Sequence, residues 1–184
     1  GEKRVALEEQ GFRQAEQVFS DCRMEISFLP NDGAGPSISH LKASGARLIY
    51  VNPSHASGTI SAIPMSRRYE LLEWARETGG LIIEDDYNGE LRYNARPIPA
   101  LQGMGDNQPV VYLGSFSKLL LPSVRISYMA LPQNLASIYR ERSSNYNQTA
   151  SKTEQLALAS YIGSGQMERH LRRLRKLYVE KSQI

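Results

Sequence analysis

A single cysteine, Cys22, stands in the whole chain, so no disulfide can close within it and no zinc site can be built on thiolates. Long apolar runs are missing too, and nothing approaches the roughly 20 residues that a bilayer span requires. No charged-then-apolar leader opens the sequence. Together these absences predict a cytoplasmic protein with no membrane contact. With 9 Pro and 14 Gly there is no collagen-like or low-complexity tract, and no internal repeat is visible. What is present is 184 residues of which 41% are hydrophobic and 22% charged, enough to bury the core of one domain.

The charge is nearly balanced, 22 Lys and Arg against 19 Asp and Glu, but it is unevenly placed. From Met167 onward, Arg169, Arg172, Arg173, Arg175, Lys176 and Lys181 face only Glu168 and Glu180, so the excess of basic residues belongs to that last segment. Met167, Leu171, Leu174 and Tyr178 recur there at helical spacing, which predicts an amphipathic helix with a basic outer face. No aromatic residues interleave with the basic ones and no nucleic-acid motif accompanies them, so the segment reads first as a solvated helix surface.

Elsewhere, short apolar runs alternate with amphipathic stretches, the signature of an α/β sheet with crossover helices. Strands are expected at Val5–Glu8, Met24–Leu29, Arg47–Val51, Leu81–Glu84, Val110–Leu113 and Ile126–Leu131. Helices are expected at Phe12–Ser20, Ile38–Ala43, Arg67–Thr78, Leu135–Asn145, Thr153–Ile162 and Met167–Lys181. The third helix has a capping candidate in Ser66, a buried side in Leu71, Leu72, Trp74 and Ala75, and a stop at Gly79-Gly80. The strand runs Leu81-Ile82-Ile83 and Val110-Val111-Tyr112-Leu113 lack polar alternation, which predicts helices on both faces of the sheet. Opening directly on a strand and stopping within the basic helix, the chain is expected to be part of something longer.

In such sheets ligands collect beyond the carboxyl ends of the strands. Asp85-Asp86-Tyr87 follows one strand, Gly114-Ser115-Phe116-Ser117-Lys118 follows another, and Arg125 opens the next. Taken singly, each has a plainer reading: a strand-end Asp caps a helix, Ser-x-Ser is a turn, and a lysine before Leu119-Leu120-Leu121 reaches past an apolar run to solvent. Taken together, they are a carboxylate able to hold a ring nitrogen protonated, a lysine able to condense with an aldehyde, and hydroxyls and a guanidinium fork able to hold a phosphate. That set matches the requirements of pyridoxal 5′-phosphate.

Glu84-Asp85-Asp86-Tyr87, Gly114-Ser115-Phe116-Ser117-Lys118 and Leu121-Pro122-Ser123-Val124-Arg125-Ile126-Ser127-Tyr128 together resemble the class I/II aminotransferases of pyridoxal-phosphate fold type I. Pro53-Ser54-His55, Ser66-Arg67-Arg68 leading into Leu71-Leu72-Glu73-Trp74-Ala75, Glu90-Leu91-Arg92-Tyr93 and Ile98-Pro99-Ala100-Leu101-Gln102 resemble, within it, the aminotransferase-like domain of the MocR/GabR group of GntR-family transcription regulators. The likeness runs over nearly the whole chain and is strongest between Leu48 and Pro132. It implies a partial large domain over residues 1–184, with a mixed, mostly parallel sheet flanked by helices and incomplete at both ends. The DNA-binding winged helix-turn-helix and the C-terminal small domain of the family are expected outside this chain.

Carried over by residue, the resemblance implies that Lys118 holds pyridoxal phosphate as a Schiff base and that Asp85 pairs with the pyridinium nitrogen. Tyr87 would bond the ring O3′, and Ser115, Ser117 and Arg125 would hold the phosphate. The family's Asn-Pro-Thr-Gly-like segment appears here as Val51-Asn52-Pro53-Ser54-His55-Ala56-Ser57-Gly58, which leaves His55 and Asn52 as the two candidates for a second ring contact. Gln10-Gly11-Phe12 replaces the regulators' Pro-Gly-Tyr, so a phenol becomes a phenyl, and Arg13 follows it. The function implied is an amine- or amino-acid-sensing effector domain of a bacterial transcription regulator. It would act as a homodimer and reach DNA only through a module outside this chain. The alternative is a catalytically active aminotransferase, and a third reading is a scaffold without cofactor. The resemblance leaves enzymatic activity open, since it marks the family better than the reaction.

Overall fold

The computed structural model describes residues 3–54, 62–86 and 98–181. Strands and helices alternate as the apolar periodicity predicts. They are β1 (Arg4–Glu8), α1 (Arg13–Asp21), β2 (Glu25–Leu29), α2 (Ile38–Ser44), β3 (Leu48–Val51), α3 (Met65–Thr78), β4 (Leu81–Asp85), β5 (Val110–Ser115), β6 (Ser127–Ala130), α4 (Gln133–Ser143), α5 (Lys152–Gly163) and α6 (Gln166–Lys181). A 3-10 turn, Leu101–Gly103, precedes β5. All six predicted strands and all six predicted helices are present, with ends displaced by one or two residues.

The six strands form one sheet in the order β2-β1-β3-β4-β5-β6. The pairs β1–β2, β1–β3, β3–β4 and β4–β5 are parallel. The chain steps from β1 outward to β2, then crosses back to β3 on the other side of β1. Strand order therefore reverses between β1 and β3, and a right-handed chain puts the crossover helices of the two directions on opposite faces. The packing follows this rule. Ala6, Ile49, Ile82 and Val110 share one face with Leu41 of α2 and with Leu71, Leu72, Trp74 and Ala75 of α3. Val5, Leu7 and Tyr50 share the other face with Ala15 of α1, joined by Phe19 and Ile83. Both faces of β1 and β3 are thus covered by helices, whereas β4, for which the same is predicted, is buried on one face and half-buried at Leu81 and Ile83 on the other.

Helix α3 departs from expectation at its start. It begins at Met65 behind an extended Pro64, and no side chain caps it. Ser66 lies inside the first turn, so its predicted capping role is corrected: proline's fixed φ and missing N–H open the helix instead. At the other end Gly79 takes a left-handed φ of 63° and the Gly80 N–H returns to the Ala75 carbonyl at 2.8 Å, the predicted stop. Arg68, one turn into α3, is buried with only 2% of its surface exposed.

Contacts divide the chain into two compact units, one of residues 1–86, 98–113 and 129–134, the other of 87–97, 114–128 and 135–184. The first carries the two cores just described. In the second, α5 and α6 pack on each other, and Met167 is the buried anchor of α6. Leu171 and Leu174 are half-buried as the helical spacing predicts, whereas Tyr178, expected on the same stripe, is exposed. No described helix is long and apolar enough to cross a membrane, and the described residues hold no cluster of metal-ligating side chains.

Candidate functional site

In the first unit the site is built on the carboxyl end of β4. Side chains alternate across a strand, so Glu84 and Asp85 leave it on opposite faces. Glu84 turns to the face of α3 and is buried, accepting the Leu101 and Gln102 N–H groups at 2.8 and 3.0 Å. Asp85 turns to the face of Tyr50, whose phenol donates to Asp85 Oδ2. Asp86, just past the strand, accepts from Ser54 Oγ and, at 3.3 Å, from Tyr112 Oη, while its N–H bonds the Leu113 carbonyl at 3.0 Å. The two adjacent aspartates are thus separated in role by their partners. Burial pushes the Asp85 carboxyl above its ordinary range, the Tyr50 bond opposes this, and the charge of Asp86 adds to it. Asn52 lies half-buried directly after β3. His55 and Tyr87 lie outside the described residues.

In the second unit, Gly114 and Ser115 close β5 and the chain folds into a tight turn. The Ser117 N–H donates to Ser115 Oγ at 3.3 Å, Ser117 Oγ donates to the Val124 carbonyl at 2.7 Å, and the Phe116 N–H donates to the Ile126 carbonyl at 3.0 Å. These bonds bracket Arg125 in the backbone, so one turn carries Ser115, Ser117 and the exposed Arg125, the three predicted phosphate ligands. Lys118 is on the same turn, and desolvation lowers the pKa of its amine below the ordinary lysine value. A ring nitrogen of His170 on α6 bonds the carbonyl of Leu119, the next residue, at 2.9 Å. Phe116 and Tyr128 pack with ring centroids 5.2 Å apart, and a Cβ on Gly114 would overlap the Tyr128 ring, which explains the glycine there.

A cleft of about 650 Å³ opens in the first unit where the strand order reverses, beyond the carboxyl ends of β1 and β3. Its walls include Glu8, Gly11, Phe12, Arg13, Phe28 and Tyr50. The Gly11 N–H returns to the Glu8 carbonyl at 2.9 Å, and a Cβ on Gly11 would meet that oxygen, so only glycine fits this turn. Tyr50 belongs both to the cleft and to the Asp85 bond. Sequence reasoning missed Tyr50 and Glu8; the available signal was a phenol among the aliphatic residues Leu48, Ile49 and Val51, where a buried O–H needs a partner.

The sequence pattern of the aminotransferase class I and II family matches residues 1–184. The chain belongs to that family. Among the curated relatives of this aminotransferase-family chain is the uncharacterized HTH-type transcriptional regulator YdeL of Bacillus subtilis, 43% identical over 98% of the chain and 39% of the relative. Another is the probable rhizopine catabolism regulatory protein MocR of Rhizobium meliloti, 34% identical over 97% of the chain and 36% of the relative. Among solved structures, the kynurenine aminotransferase of Pyrococcus horikoshii superposes with a TM-score of 0.83 at 26% identity, covering 97% of this chain and 46% of that one. The aminotransferase-family chain thus has the mixed α/β fold of the fold type I enzymes, and it spans about two-fifths of the length of the regulators it matches.

The donor set fits pyridoxal phosphate. An acidic side chain held at a strand end, an amine whose charge is disfavoured by desolvation, and two serines and an arginine along one turn are the kinds of group that such a cofactor needs.

Proposed function

We propose that this chain is the pyridoxal-phosphate-binding, amine- or amino-acid-sensing domain of a bacterial transcription regulator. One observation carries the reading: the donor set Lys118, Asp85, Ser115, Ser117 and Arg125 occurs in a chain that aligns over 98% of its length with an HTH-type regulator. The cofactor, when bound, supplies an aldehyde that captures amines and a ring that withdraws electrons. Lys118 is the attachment point, and desolvation keeps more of its amine neutral and nucleophilic than in a free lysine. Asp85 holds a proton at the ring nitrogen. Ser115, Ser117 and Arg125 anchor the phosphate, Ser117 by turning to it the one hydroxyl proton that here goes to the Val124 carbonyl. Tyr87, with Asn52 or His55, supplies the O3′ contacts. An effector amine taking the place of Lys118 would change the contacts that Lys118 makes on its turn, and the differential binding would bias a DNA-contacting module outside these residues. A homodimer in the cytoplasm is part of the same reading.

A second reading is an active aminotransferase, supported by the 26% identity to the kynurenine aminotransferase structure. There the Lys118 amine would be the base that moves the substrate α-proton.

Addition of pyridoxal phosphate, borohydride reduction and peptide mapping of the full-length protein is expected to modify Lys118. Specific modification of another lysine, or of none, overturns both readings. DNA binding that responds to a panel of amines then supports the sensor, and amino transfer to a keto acid at enzyme-like rates supports the aminotransferase.

A further inference from the structure

Resting on the cofactor reading above, we propose that Tyr50 is a positioning residue for Asp85: its phenol occupies one carboxylate oxygen and so aims the other at the cofactor's ring nitrogen. Four observations lead there. Tyr50 is 8% exposed in a strand whose other members, Leu48, Ile49 and Val51, are aliphatic, a costly place for a hydroxyl without a purpose. Its register partner on β4 is Ile83, so Asp85 lies diagonally across on the same face, within reach of a long side chain. Its ring is fixed edge-on to Phe19, with centroids 6.2 Å apart and planes at 71°, so the phenol oxygen has a defined direction. Its phenol donates to Asp85 Oδ2 only; among the described residues, Asp85 Oδ1 takes no side-chain donor.

Asp86 supplies the contrast. Both of its oxygens are taken, by Ser54 and Tyr112, so the neighbouring carboxylate is committed to holding the loop after β3 against β5. Only Asp85 keeps an oxygen for a ligand, and Tyr50 determines which one. Tyr50 also lines the cleft at the strand-order reversal, so the residue that orients Asp85 forms part of the wall a ligand would touch.

The test uses full-length protein as wild type, Tyr50→Phe, Asp85→Asn and the double variant, each loaded with ring-15N pyridoxal phosphate. The 15N shift reports protonation of the ring nitrogen, and equilibrium dialysis gives the cofactor affinity. Phenylalanine keeps the ring against Phe19, and near-UV circular dichroism checks that packing. Tyr50→Phe is expected to weaken cofactor binding roughly tenfold, as loss of a bond to a charged group does, and to move the 15N signal toward the unprotonated ring. In the Asp85→Asn background the same change is expected to do almost nothing further. A Tyr50→Phe protein with wild-type affinity and shift overturns the proposal, as does an equal loss with and without Asp85. If wild type takes up no cofactor, or Asp85→Asn is silent, the reading beneath it fails and the proposal falls with it. A silent Tyr50→Phe beside an affected Asp85→Asn defeats the Tyr50 assignment alone.

Discussion

Arg68 and Glu84 lie 3.7 Å apart in the interior, 2% and 1% exposed, and tie together backbone stretches far apart in sequence. The Arg68 guanidinium donates to the carbonyls of Ile63, Pro99 and Pro53 at 3.0, 3.0 and 2.9 Å. Glu84 accepts the N–H groups of Leu101 and Gln102. Isolated, either charge would be expensive to bury; here the bonds tie the backbone at Pro53, Ile63, Pro99, Leu101 and Gln102 to α3 and the end of β4. Pro53 follows Asn52 directly, and Glu84 precedes Asp85.

Arg68→Met is therefore expected to destabilise the fold by about 3–5 kcal/mol, because it leaves a buried carboxylate uncompensated and three carbonyls without a donor. Urea denaturation measures this. Pairing the change with Glu84→Gln should recover part of the loss, since the uncompensated charge goes too. A loss under about 1 kcal/mol, the range of exposed ion pairs, would show that the pair contributes little.

Asp85 makes stability pH-dependent in a definite direction. Burial raises its pKa above the ordinary 3.8, only partly opposed by the Tyr50 bond, with Asp86 adding to the rise. The folded state then holds the proton more tightly than the unfolded chain. Its contribution is fully present below 3.8 and is lost as pH rises through the raised folded value. Asp85→Asn has no proton to lose. Relative to wild type, the variant should gain stability as pH rises through that window and then level off, as read from urea midpoints between acid and neutral pH. A constant difference across pH would contradict the raised value.

Lys118 and Lys42 should differ sharply in reactivity. Desolvation lowers the pKa of Lys118, whereas a hydrogen bond to Glu77, 2.9 Å away, raises that of Lys42. Limited acylation read by mass spectrometry should label Lys118 ahead of Lys42, with the gap narrowing at high pH as both amines become neutral. Equal labelling near neutral pH would count against an activated Lys118.

Gly114→Ala forces the Tyr128 ring away from the strand that leads into the lysine turn. The expected outcome is a loss of roughly 1–3 kcal/mol, the usual cost of overpacking, accompanied by weaker cofactor uptake. Gly79→Ala makes a comparison: at a φ of 63° with nothing within 4 Å, it should cost about 1–2 kcal/mol in backbone strain alone and leave cofactor uptake unchanged. Similar uptake in both variants would separate the Gly114 contact from the site.

Much of this protein was legible in one dimension because its elements are short-range objects. The run Leu81-Ile82-Ile83 is a strand because a short, branched apolar run packs on a pleated surface, and Gly79 ends α3 because it tolerates a positive φ. The placing of Ser115, Ser117 and Arg125 on one turn was readable as well, since eleven residues of chain carry it and local bonds between serine hydroxyls and backbone close it. Ser66 misled because a capping hydroxyl and a first-turn hydroxyl look alike until the backbone angle of Pro64 is known.

The sequence by itself determined which residues alternate, where the strands end, and hence which chemistry stands at their carboxyl ends. Tertiary structure alone decided that strand order reverses between β1 and β3, that Arg68 enters the core, and that Asp85 is paired with Tyr50 while Asp86 is taken by Ser54 and Tyr112. Periodicity reports which face a side chain leaves by. Which partner it meets depends on strand order and register, and those are settled by the packing of residues 26 to 35 positions apart.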